Sequence, residues 1–255
     1  MSLLDVDRIS LHFGGVRAVS ELSFSVEAGE IFAIIGPNGA GKTSVFNVIT
    51  RVFEPTAGRV LVDGRDITAL ARHRVVEAGI ARTFQNIELF EGATVIDNLL
   101  LGRHRFAHGN LLTQVLRTSH VARLEAESRA AVEDIIDFLE LAPYRNSLVA
   151  GLPYGVRKVV ELARALATKP RLLLLDEPAS GLNPEETQDL AFWVDDIRSD
   201  LGITVIMVEH DMSLVSAVAD RVLCMNMGQR LALGTAAEVQ ADPQVVAAYL
   251  GTGGA

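Results

Sequence analysis

Cysteine is nearly absent from this chain: Cys224 is the one thiol among 255 residues, so no internal disulfide can form and a reducing compartment is expected. It sits in the apolar run Val222-Leu223-Cys224-Met225 and reads as a buried structural thiol. Long apolar runs are missing too. Although 49% of the residues are hydrophobic, no stretch approaches the roughly 18–20 uncharged apolar residues that span a bilayer. No N-terminal segment joins a basic start to an apolar stretch and a small-residue cleavage site, so a soluble, cytoplasmic chain is expected. Positive charge is in short supply. The formal net charge is −9, which argues against nucleic acid as a partner, because binding a phosphate backbone takes clustered cations. Basic residues bunch at Arg72-His73-Arg74 and Arg103-His104-Arg105. Both runs read first as solvated faces, the alternative being a surface near lipid head groups or a membrane partner.

The length suits one large domain with ample core. Up to about Asp66, strand-like runs alternate with turns: Ile9–Phe13 and Leu22–Val26 alternate apolar with polar residues, and Arg59–Asp63 closes on an Asp-Gly turn. From about Ile87 to Leu166 the chain reads mainly as helix, with Val121, Leu124, Val132, Ile135, Ile136 and Leu139 at helical spacing and a loop at Gly102–Asn110. Beyond it, the apolar runs Leu172–Leu175, Thr204–Val208 and Val222–Met225 alternate with helices, as parallel strands with crossover helices do. The expected architecture is α/β: a core with a parallel sheet, an N-terminal antiparallel β subdomain and an inserted α-helical subdomain. The expected boundaries put the β subdomain and first part of the core at about 1–86, the helical subdomain at about 87–166, the rest of the core at about 167–235 and a helical tail at about 236–255.

Gly36-Pro37-Asn38-Gly39-Ala40-Gly41-Lys42-Thr43 fits G-x-x-x-x-G-K-[ST], between the strand-like Ile31–Ile35 and a helix beginning near Ser44. Glycines let successive N–H groups turn inward toward phosphate oxygens, and the helix N-terminus adds its positive dipole. Lys42 can then reach the terminal phosphates and the Thr43 hydroxyl can ligate Mg²⁺. The competing reading, a glycine-rich turn with a surface lysine, does not account for strand, loop and helix in register. A nucleoside triphosphate is the expected ligand.

Two further runs end in chemistry. Arg171–Pro178 is a buried strand that delivers Asp176 and Glu177 at its C-terminal end, where ligands of parallel sheets bind. Asp176 is placed to hold Mg²⁺ through water, and Glu177 to polarise an attacking water as general base. Thr204–Asp211 repeats the device with His210, whose imidazole can hydrogen-bond a γ-phosphate and orient Glu177 or the water. Alone, each run is equally a strand entering a polar turn; together with the phosphate loop they point to hydrolysis.

Taken together, these residues resemble the ATP-binding cassette family of P-loop NTPases over essentially the whole chain. The resemblance implies an ATPase using ATP and Mg²⁺, with Phe13 stacking on adenine, the loop Gly36–Thr43 with Ser44 binding the phosphates, and Gln85 contacting Mg²⁺ beside Thr43 and Asp176. It places Ser180-Gly181-Leu182-Asn183 at a dimer seam, where Asn183 also reads as an N-cap before Pro184. Within the family the chain is similar to the larger ATPase subunit of branched-chain amino-acid importers, on Phe13–Val19, Arg82-Thr83-Phe84-Gln85-Asn86, the long helical insertion and the ending Ala248-Tyr249-Leu250-Gly251. Importers for urea and short amides share these features. The implied partners are a second ATPase subunit, two membrane permease subunits and, indirectly, a solute-binding protein, with the chain peripheral on the inner face of the membrane. Ile87, Leu89 and Phe90 are either a groove for a permease helix or simply core.

One segment departs from the family pattern. The loop that completes the opposing subunit's site is Leu-Ser-Gly-Gly-Gln in that family, and here it is Leu152-Pro153-Tyr154-Gly155-Val156. Pro153 offers neither a hydroxyl nor an N–H, so at least one phosphate contact is lost. The plain expectation is that Pro153 starts the helix and the loop still works; the sharper one is that the partner's site is weakened. The rivals to an importer ATPase are a nucleotide-responsive regulatory subunit with little hydrolysis and a non-transport cassette ATPase.

Overall fold

The computed structural model describes residues 2–85, 87–106 and 119–250. It divides into two compact units, one of Met1–Gln85 with Arg171–Ala255, the other of Asn86–Pro170.

The first unit holds both sheets. Strands β1 (Ser2–Phe13), β2 (Val16–Glu27), β4 (Ala57–Val62) and β5 (Arg65–Asp66) form a four-stranded antiparallel sheet in the order β2-β1-β4-β5. Both long strands run well past the alternating segments seen in the sequence, because irregular register at Arg8 and Glu21, each left-handed, breaks the alternation without breaking the pairing. The second sheet has the order β10-β9-β3-β8-β7-β6, built from β3 (Ile31–Ile35), β6 (Ile80–Arg82), β7 (Leu172–Asp176), β8 (Thr204–Val208), β9 (Arg221–Asn226) and β10 (Gln229–Gly234). The five neighbouring strands from β9 to β6 are parallel, and β10 adds an antiparallel edge. Every residue of β3, β7 and β8 is buried, which is why these strands read as continuous apolar runs. Helices α1 (Lys42–Ile49), α5 (Pro184–Ser199), α6 (Met212–Val218), α7 (Ala236–Ala241) and α8 (Pro243–Leu250) complete this unit. Cys224 lies buried in β9, where burial first, and then Asp242, pushes its thiol up to about 11 and keeps it inert.

The second unit is helical: α2 (Val95–Gly102), α3 (Ser119–Phe138) and α4 (Tyr154–Ala167) pack on one another, and Val95, Leu99, Val132, Ile136, Val160 and Ala163 on them are buried. Gly102 closes α2 against α4, since a Cβ there would lie 2.6 Å from the Arg164 carbonyl oxygen. Two sequence expectations need correcting. The loop expected at Gly102–Asn110 opens as the end of α2 and a 3₁₀ turn at His104–Phe106; residues 107–118 lie outside the described residues. Arg103 is not on a solvated face: it is buried, donates to Ala167 O at 3.2 Å and packs over the Phe106 ring at 4.0 Å, so the first cation of the basic run is held inside the fold. Arg72, His73 and Arg74 are exposed as expected. No described helix is long and apolar enough to cross a membrane.

Candidate active site

The phosphate loop owes its course to two glycines. Leaving β3, the chain takes φ 147° at Gly36, where a Cβ would lie 2.2 Å from Met225 O on the neighbouring strand. At Gly41 it takes φ 100°, and a Cβ would meet Ala18 O at 2.3 Å. Gly41 is also the N-cap of α1, so the helix starts with no side-chain cap and no acidic residue in its first turn. Its first N–H groups therefore face outward without a competing carboxylate. Lys42 is buried, and its ammonium donates to Gly36 O at 2.7 Å and Pro37 O at 3.2 Å. Burial lowers its pKa, and Glu177, Asp176 and Cys224 pull it back up. A surface lysine is thereby excluded. Asn38, Gly39 and Thr43 are exposed, whereas Ala40 is buried.

Asp176 closes β7 and is nearly inaccessible. Its Oδ2 accepts from Arg82 Nη2 at 2.6 Å, and its Oδ1, also buried, has no hydrogen-bond partner among the described residues. Arg82 in turn donates to Asn47 Oδ1 at 2.7 Å and lies between the Phe46 and Phe84 rings, 5.5 and 5.1 Å from their centroids. Glu177, next along, is left-handed at φ 48°. Its N–H donates to Val208 O at 2.9 Å, and its Oε2 accepts from Gln85 Nε2 at 2.8 Å. Gln85 and Glu177, which are 92 residues apart, are thus brought into direct contact. That bond uses the amide nitrogen of Gln85; the other amide atom is an oxygen, the ligand type that suits Mg²⁺.

His210 follows β8 with its side chain 62% exposed, Nδ1 standing 3.8 Å from Glu209 Oε2. The segment Ser180–Asn183 follows Glu177 by one turn. Gly181 is left-handed, and Asn183 caps α5: its Oδ1 accepts from the Glu185 and Glu186 N–H groups at 3.0 Å, and Glu186 returns a bond to the Asn183 N–H. Phe13 is 46% exposed at the end of β1, with the Phe53 ring edge-on at 5.0 Å.

The segment 152–156 belongs to the helical unit. Leu152 is buried; Pro153, extended at ψ 153°, stands as N-cap one position before α4 rather than in its first turn. Its carbonyl accepts from the Arg157 N–H at 3.0 Å, and Tyr154, Gly155 and Val156 form the first turn with no side-chain cap and no acid. Tyr154 is exposed, with Lys158 Nζ 5.9 Å from its ring centroid. Ile87, Leu89 and Phe90 are not core: none is buried, and Phe90 is 61% exposed.

Sequence reasoning passed over Arg82 and Glu209. A charged residue flanking an apolar strand reads as surface, yet Glu209 is fully buried, the Arg82 side chain is 6% exposed, and both hold a residue of the site. The signal available was position alone: each lies at a strand's C-terminal end beside a residue already singled out.

Residues 19–180 match the family model described as ABC transporter, and residues 229–255 match one described as branched-chain amino acid ATP-binding cassette transporter. The chain is 39% identical to the high-affinity branched-chain amino acid transport ATP-binding protein BraF of Pseudomonas aeruginosa and 37% identical to LivG of Escherichia coli, covering 98% of itself and of each relative. Among solved structures, the ADP conformation of MJ1267, an ATP-binding cassette of an ABC transporter, superposes with a TM-score of 0.86 at 32% identity, over 98% of this chain and 99% of that one. With a phosphate loop, a paired Asp176–Glu177 and the fold of these cassettes, the chain belongs to the ABC transporter family and is one of its ATPases.

Proposed function

We propose that this ATPase powers import of branched-chain amino acids or related small amides through separate membrane subunits. The relatives BraF and LivG, similar from end to end, are named for branched-chain amino acid transport, and this supports the substrate class. Phe13 stacks on adenine; the loop Gly36–Thr43 with Ser44 binds the phosphates, with Lys42 swinging from its carbonyl partners to the triphosphate. Glu177 is the general base for the attacking water, Gln85 holds Glu177, and His210 contacts the γ-phosphate. The observation that carries the assignment is the 2.8 Å bond from Gln85 to Glu177 beside the buried Asp176.

The residues fit a Mg²⁺ ion. Asp176 Oδ1 is a buried acceptor without a hydrogen-bond partner among the described residues, Gln85 bonds Glu177 through its amide nitrogen and carries an amide oxygen besides, and Thr43 lies in the first turn of α1. No group of three His, Cys, Asp or Glu side chains that could hold a metal ion exists among the described residues; Mg²⁺ usually takes part of its shell from phosphates and water. Thr43, Gln85 and Asp176 would hold it, and it would neutralise charge on the β- and γ-phosphates.

Two such chains, or this one and a second cassette ATPase, would bind two nucleotides at a seam formed with Ser180–Asn183 and the segment 152–156. Closure on ATP and opening after hydrolysis would drive two permease subunits from the cytoplasmic face of the membrane, with a solute-binding protein acting on the far side. Exposed Phe90, with Leu89 and Ile87, would receive a permease helix.

Glu177→Gln tests the assignment. A hydrolase loses ~10²–10⁴-fold in turnover while still binding ATP and forming a stable dimer, measured by phosphate release and light scattering. A regulatory binder, favoured by Pro153 in the altered segment, would hardly change in either measurement, and that outcome would overturn the hydrolytic reading.

A further inference from the structure

Glu209 is a fully buried acidic side chain that none of the roles above uses. Its Oε1 accepts from the Ala179 N–H at 2.8 Å; its Oε2 accepts from the His210 N–H at 2.9 Å and the Asp211 N–H at 3.2 Å. One carboxylate therefore takes backbone donors from two loops 30 residues apart. The first loop carries Glu177 and leads into Ser180–Asn183; the second carries His210. The Glu209 N–H itself donates to Ile34 O at 3.2 Å, tying the same residue to the strand that feeds the phosphate loop.

We propose that Glu209 is a positioning residue that staples the Glu177 loop to the His210 loop, so that base and γ-phosphate contact move as one body. Glu177 gives the staple a purpose. A non-glycine residue at φ 48° is strained and persists only where its surroundings over-determine it. The surroundings here are the Glu177 N–H on Val208 O, the Ser180 N–H on Glu177 O at 3.1 Å and the Ala179 N–H on Glu209. Two of the three fix the loop to β8 or its continuation. Because the carboxylate has two equivalent acceptor atoms, it serves both loops at once; an amide cannot, since turning its oxygen to one loop sets its NH₂ against an N–H of the other. The proposal rests on Glu177 and His210 as the hydrolytic pair.

The test uses the full chain in the assembled transporter with Mg·ATP, comparing wild type, Glu209→Gln, His210→Ala and the double variant. Glu209→Gln is expected to lower kcat ~10- to 100-fold, as a small misplacement of reacting groups does, with KM for ATP changed less than about threefold. In the His210→Ala background the same substitution should cost much less, because one of the groups it positions is gone. An unchanged kcat, or a loss that simply multiplies in the double variant, overturns the proposal. Amide hydrogen exchange on the wild-type chain decides the matter should the variant not fold. The Ala179, His210 and Asp211 amides lie outside helices and strands, yet should be protected together; exchange at open-loop rates overturns the staple. A wild-type transporter without ATP turnover would instead remove the hydrolytic reading, leaving the exchange result to stand on its own.

Discussion

Helix N-termini in this protein fall into two kinds. Among the described residues, five are capped by a side chain: Thr94 on α2, Asn183 on α5, Asp211 on α6, Thr235 on α7 and Asp242 on α8, with reciprocal capping boxes at Asn183–Glu186 and Thr235–Glu238. Two are bare, without a side-chain cap or an acid in the first turn: α1 behind Gly41 and α4 behind Pro153. A missing cap forgoes about 1 kcal/mol of helix stability, so a chain able to cap five helices has left that stabilisation out at two. They are the two helices to which the proposed function gives phosphate contacts, one for the chain's own nucleotide and one for its partner's. The bare ends are not equivalent. Gly41 is left-handed, turning the preceding backbone into a concave nest of N–H groups; Pro153 is extended and contributes no N–H.

The sharpest way to break the comparison is to supply α1 with the charge it lacks. Ser44 is the third residue of α1, half-buried in the first turn. Ser44→Asp puts a carboxylate on the positive end of the dipole, worth about 0.3–1 kcal/mol of added stability. It also puts like charge against a triphosphate. The expected outcome is opposite in sign on two instruments: Tm rises by a degree or more in calorimetry, while ATP affinity in titration falls ~10²-fold, each factor of ten being about 1.4 kcal/mol. Affinity unchanged beside a raised Tm would mean that the bare end of α1 does not hold phosphate.

The second bare end is sharpened by giving back what Pro153 removed. Pro153→Ser restores an N–H and adds a hydroxyl at the N-cap, where serine is among the best residues. If the altered segment limits the site it completes, ATP turnover in the assembled transporter should rise a few-fold, and Tm should rise with it. A raised Tm with flat turnover would show that the proline costs only the helix. The isolated chain gives a companion measurement: full-rate, cooperative hydrolysis by the chain alone would exclude a weakened loop.

This contrast was only partly legible in the sequence. The phosphate loop was, because its chemistry is local and its spacing rigid, and so were β3, β7 and β8, whose burial on both faces forces unbroken apolar runs. Asp176, Glu177 and His210 could be placed because strand ends are legible once the strands are. What escaped depends on partners far along the chain. The bulges at Arg8 and Glu21 shift the alternation that marks β1 and β2, and β10 is an edge strand with no fully buried position. Arg82, Arg103 and Glu209 are charged residues whose burial is made tolerable by Asp176, by Ala167 O and by three backbone N–H groups respectively. Periodicity has no way to announce such partners, so each of these residues looks like surface until the fold is known.

The smallest effect belongs to a helix end that already looks after itself. Thr235 accepts from the Glu238 N–H at 3.3 Å, and Glu238 Oε2 accepts from the Thr235 N–H at 2.8 Å. Thr235→Ala should lower Tm by about 2–4 °C and leave ATP turnover unchanged, since α7 packs on β9 and β10 and neither strand supplies an assigned site residue. The effect should also depend on pH. The Thr235 N–H, then its hydroxyl, hold the Glu238 pKa below the ordinary carboxylate value. A depressed acid contributes its stability above its unfolded pKa and loses it as pH falls. The Tm gap between wild type and variant should therefore be full at neutral pH and narrow below about pH 4. A gap that persists undiminished in acid would assign the stabilisation to the threonine's own cap alone, and would separate the two halves of the box.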